Sequence, residues 1–83
     1  LSNAKLDGAR MDRARMERSR LDNASMTGVS LSGASLYRAS MQEVNLKGAR
    51  MTGVNLNQAD LSRAILDGAD LSEANLDRAI LDE

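Results

Sequence analysis

The sequence predicts an all-β solenoid, wound from very short extended segments with a turn after each. Three observations carry this reading. A large apolar residue recurs at every fifth position from Leu1 to Leu81 and is always Leu or Met. Two positions before each of these centres stands a small residue, Ala or Val everywhere except Ser19. Position two after the centre is glycine at Gly8, Gly28, Gly48 and Gly68, which marks a second period of 20 residues. Of all the hydrophobic residues, only Tyr37, Ile65 and Ile80 lie off this lattice.

A helix cannot use such a pattern. At about 100° per residue, successive centres would scatter round every side and form no apolar stripe. The motif small–x–large is instead a period of two, which points both side chains to one face of an extended segment. The next pair begins three residues later, so a turn must intervene. The 20-residue column then sets four such units per circuit, and Arg18, Arg38, Gln58 and Arg78 form a second column of the same period. The residue before each centre agrees layer by layer: Lys5, Arg10, Arg15 and Arg20 first, then Ser25, Ser30, Ser35 and Ser40. Backbone groups are expected to pair with the circuits above and below, about 4.8 Å away. Met centres at 11, 16, 26, 41 and 51 are read as flexible core filling. Ser19, the one polar inward residue, is expected to bond nearby backbone.

Ala59-Asp60-Leu61, Ala69-Asp70-Leu71 and Ala74-Asn75-Leu76, with the variants Val44-Asn45-Leu46 and Val54-Asn55-Leu56, resemble the pentapeptide-repeat family, and the resemblance runs the length of the chain. It implies a right-handed quadrilateral parallel β-helix with four pentapeptides per coil, here about four coils, and a bacterial origin. The first half departs from the family pattern: Arg or Ser stands where Asp or Asn is usual, and Met often replaces Leu. Residues 1–83 are read as one repeat domain, expected to be a piece of a longer protein because the chain starts inside the repeat and without Met.

Composition narrows the chemistry. The chain has no Cys, His, Trp or Phe, and its longest apolar run is two residues. Disulfides, thiolate or imidazole catalysis and a membrane span are therefore not expected. The six glycines are isolated, so there is no phosphate-cradling loop. We expect no enzyme activity, no cofactor and no metal. Net charge is −1 but polarised: residues 1–20 carry +3 and residues 61–83 carry −4.

Any function must therefore be written on the outward positions. The basic ring Lys5, Arg10, Arg15 and Arg20, extended by Arg13 and Arg18, is a candidate surface for an acidic partner, weighed against a merely solvated face. Nucleic acid is disfavoured, because the ring encircles the axis and lacks aromatic platforms. The acidic end, with Asp60, Asp67, Asp70, Glu73, Asp77, Asp82 and Glu83, is a second candidate. Ile65, Leu76, Ile80 and Leu81 are candidate contacts for a cap or partner at the C-terminal end. The opposed end charges also suggest head-to-tail self-association. The reading is a non-catalytic module for protein–protein interaction or scaffolding. The family resemblance implies two alternatives: a DNA-mimicking modulator of a type II topoisomerase such as gyrase, and a binding or targeting domain of a larger bacterial protein such as a secreted effector.

Overall fold

The computed structural model describes residues 1–81, so Asp82 and Glu83 lie outside the described residues. Twelve parallel β-bridges organise it, each joining a residue to the one 20 positions later. They form four columns, headed by Lys5, Arg10, Arg15 and Arg20. One circuit is thus 20 residues with four sides, and the chain is a four-sided parallel β-helix. We call residues 1–20, 21–40, 41–60 and 61–80 layers one to four. The expected short strands are shorter still: each side contributes a single bridged residue. Two of every five residues are consumed by a turn, which leaves no length for a longer ladder.

Every turn has the same form. The amide of the small residue donates to the carbonyl of the preceding centre, as in Ala4 N to Leu1 O at 3.0 Å and Val44 N to Met41 O at 3.2 Å. The second residue after each centre has φ between 59° and 71°. A four-residue turn with positive φ only at its third position is type II. Glycine fills that position in the column Gly8–Gly68, but ten non-glycine residues also adopt it. Held there, an L-residue costs roughly 1–2 kcal/mol. In layers one to three the ladder supplies the restraint, because these amides also donate to the next layer, as in Arg18 N to Tyr37 O at 2.8 Å.

The inward positions are those of the lattice. Centres and small residues of layers two and three are buried, with Met26, Leu36, Leu46 and Leu56 at 0% exposure. Each such Leu or Met contributes roughly 1.5–3 kcal/mol. Layers one and four pack against this core from one side only, and their centres are half-buried except for Leu61, which is buried, and Leu1, which is exposed. All the buried residues are apolar.

Ser19 corrects an expectation. Its Oγ is buried and has no hydrogen-bond partner. Its own amide and carbonyl are committed to Met16 O and Ser40 N, and the position faces the apolar axis. A buried hydroxyl left unpaired costs roughly 1–3 kcal/mol. We therefore expect Ser19→Ala, which restores the residue found at most small positions, to stabilise the fold by about 1 kcal/mol. Thermal denaturation of the two proteins measures this, and a lower melting temperature for the variant would show that the hydroxyl is satisfied.

Candidate interaction surfaces

The outer surface is built on one leftover donor per repeat. Within each pentapeptide, four amides can join the turn or the ladder to a neighbouring layer. The amide of the first residue after the centre does neither, and a side chain must satisfy it. At five places in layers three and four an Asn or Asp before the centre does so, two residues back. Asn55 Oδ1 accepts from Asn57 N at 3.0 Å, Asp60 Oδ1 from Ser62 N at 3.0 Å and Asp70 Oδ1 from Ser72 N at 3.0 Å. At Ser25, Ser30 and Ser40 of layer two, an Asp 18 residues earlier takes over. Asp7 Oδ1 accepts from Thr27 N at 2.9 Å and from Ser25 Oγ at 2.7 Å. Asp22 Oδ1 does the same for Gln42 N at 2.8 Å and Ser40 Oγ at 2.7 Å, and Asp12 for Ser32 N and Ser30 Oγ.

These bonds explain the electrostatics. The Ser25 hydroxyl, then the Thr27 amide, hold the Asp7 carboxyl below the usual carboxylate range. The Ser30 hydroxyl does so for Asp12, and the Ser62 and Ser72 hydroxyls and amides for Asp60 and Asp70. Glu17 is lowered by its own amide and the Ser35 hydroxyl.

The candidate residues separate in space. Lys5, Arg10, Arg15 and Arg20 are exposed and head four different columns, so they encircle the axis rather than share a face. Arg13 and Arg18 occupy two of the corners between them. Asp67, Asp70, Glu73 and Asp77 are exposed in layer four, and Asp60 is half-buried above it. Oδ1 of Asp60 and of Asp70 already serves the backbone, while Oδ2 accepts from the Gln42 and Thr52 side chains. Leu76 is an axial centre, half-buried, and Leu81 is 48% exposed. Ile65 and Ile80, each 45% exposed, are bridge residues of the flanks, below Asn45 and Asp60. Beside Ile65 lies an open hollow of about 480 Å³ lined by Arg63, Ala64, Ile65, Leu66 and Asp67.

Sequence reasoning missed Asp7, Asp12 and Asp22, whose signal was the Ser found 18 residues on. It also gave no role to Arg38. The Arg38 guanidinium lies 5.3 Å from the Tyr37 ring centroid, and its Nε donates to Gln58 Oε1 at 3.0 Å. The one ion pair among the described residues, Arg63 with Glu43 at 3.3 Å, is exposed and of small energetic weight. No group of three or more acidic residues among those described is placed to hold a metal ion. No helix is long and apolar enough to cross a membrane.

A four-sided parallel solenoid with an apolar lattice inside and variable polar columns outside defines a repeat protein. The sequence matches the profile of the pentapeptide repeats in eight copies, over residues 1–36, 19–58 and 45–82, and the chain belongs to that family. Similar solved structures include a pentapeptide repeat protein from the Arabidopsis thaliana thylakoid lumen, at 23% identity and TM-score 0.67 over 95% of this chain and 62% of that one. Rfr23 from the cyanobacterium Cyanothece is 32% identical, with TM-score 0.56, over 100% of this chain and 60% of its own. HetL from Nostoc, a pentapeptide repeat protein involved in regulating heterocyst differentiation, is 27% identical, with TM-score 0.52, over 96% and 46%. The chain thus spans less than two thirds of each. Two of the three are cyanobacterial, in keeping with the bacterial expectation. No curated protein matches the sequence.

The lowered carboxylates set an acid limit. A folded pKa below the unfolded one gives stability that is present above the unfolded value and lost as pH falls through the folded one. Melting temperature should therefore fall as pH drops from about 5 towards 2. Asp7→Asn with Asp70→Asn should lower it at neutral pH and flatten the acid decline. An unchanged acid slope in that double variant would remove these residues from the account.

Proposed function

We propose that this chain is a non-catalytic solenoid module whose rigid outer columns make protein–protein contacts, wound right-handed as four complete coils. One observation carries the reading: every buried residue described is an apolar member of the lattice, so the polar side chains are left to the outside, in rows fixed by backbone bonds. Pentapeptide repeat proteins are in general non-catalytic structural proteins, which agrees with it. The longer lengths of the similar proteins support placing the module within a larger protein, for which a targeting role is the alternative. Mimicry of DNA towards a topoisomerase is less well supported. The acidic residues gather mainly in layer four, while residues 1–20 carry +3. A variant that keeps every inward residue and permutes the outward columns tests the main reading. The native surface should retain a defined set of proteins from its source that the permuted one loses, and identical retention would refute the proposal.

End-to-end self-association is the second reading. The ladder passes groups from each layer to the next, so the outer faces of layers one and four present complementary halves of it. Opposed charge favours a head-to-tail contact. Light scattering over a concentration series should show growth that high salt reverses, and a constant monomer mass at every concentration would reject it.

A further inference from the structure

We propose that the corner row Arg18, Arg38, Gln58 and Arg78 is a docking edge for an extended acidic segment of a partner protein, an inference that rests on the protein-contact reading above. The four residues occupy the same turn position in successive layers, at φ 61°, 60°, 63° and 59°. The ladder pins the first three: Arg18 N donates to Tyr37 O at 2.8 Å, Arg38 N to Asn57 O at 3.0 Å and Gln58 N to Asp77 O at 2.9 Å. At about 4.8 Å per layer the row is straight and about 15 Å long. No other corner carries three cations. The 8–68 corner is glycine throughout, and the remaining two mix Gly, Asn, Arg and Glu.

The row is also preorganised. Tyr37, the one aromatic residue of the chain, lies against the Arg38 guanidinium, while Gln58 takes its Nε. That leaves the terminal Nη edge to face a ligand. Asp60 is engaged by Ser62 and Gln42. The ion pair among the described residues lies elsewhere, at Arg63 and Glu43. Arg15 and Arg20 flank the row in layer one, on the two adjoining sides.

Guanidinium forks match carboxylates bidentately. In an extended chain, side chains on one face recur about every 6.6–6.8 Å, so a 15 Å row spans two to three acidic residues. Nucleic acid fits less well. The sole aromatic face is already occupied by Arg38, so no platform is left for a base to stack on.

Fluorescence anisotropy with labelled decaglutamate, and with a labelled single-stranded deca-thymidylate, tests this at low salt. Arg18→Glu with Arg38→Glu should weaken decaglutamate binding about tenfold or more. Arg10→Glu with Arg13→Glu makes the same charge change elsewhere and should alter it less than about threefold. Glu is tolerated at this turn position, as Glu43 and Glu73 occupy it. Should the first variant still melt early, Arg18→Gln with Arg38→Gln repeats the test with the residue native at Gln58. Equal losses in both charge variants, no binding of decaglutamate, or tighter binding of the deoxythymidine strand would each overturn the proposal. Those outcomes leave the broader reading standing on another face, whereas failure of the column-permuted variant would remove both.

Discussion

Five residues per side leave room for one turn and one paired residue, and everything else follows from that shortage. A side this short cannot stabilise itself, so each bridge, as at Ser35 to Asn55, draws its strength from the layers above and below. The same bonds hold arginine, glutamate and glutamine in the left-handed region, a conformation that glycine or asparagine would occupy more cheaply. Regularity is therefore enforced axially. One misplaced turn would break the ladder to two layers at once.

The unpaired amide after each centre is where sequence variation meets this constraint. The lower layers answer it locally with Asn45, Asn55, Asp60, Asp70 and Asn75. Ser25, Ser30 and Ser40 stand at that position in layer two, and the amide beyond each receives a carboxylate from one layer earlier, at Asp7, Asp12 and Asp22. The departure from the family pattern in the first half is thus a compensated exchange. The carboxylate moves from the position before the centre to the turn of the preceding layer, and the serine hydroxyl becomes its second donor. Neither change works alone, since a turn Asp without the serine loses a donor and a serine without the Asp leaves the amide unpaired.

The inward half of the structure was legible because it repeats. Period, sidedness and the separation of large from small residues all follow from two positions in five. The outward half was legible only in part. Asp60 and Asp70 stand out as contact candidates, but that they also cap the backbone is not revealed by the Ala-Asp-Leu motif alone. Ser19 looked like a satisfied hydroxyl, yet its Oγ is buried without a partner. Ile65 and Ile80 stood out as apolar residues off the lattice, but their place on two flanks depends on which column each one ends.

Adjacency on this molecule runs at intervals of 20, and that reorders its electrostatics. Lys5, Arg10, Arg15 and Arg20 are close in sequence, yet each begins a separate column on a separate side. Their field is spread round the axis and screened on each side by solvent. Arg18, Arg38 and Arg78 are far apart in sequence and share one corner. Because the core is nearly the same in every layer, exchanging outward residues changes such rows without disturbing the packing beneath. A partner that recognises this solenoid must therefore read along a column, and the column that combines fixed backbone, aligned cations and an aromatic support is the one through Arg38.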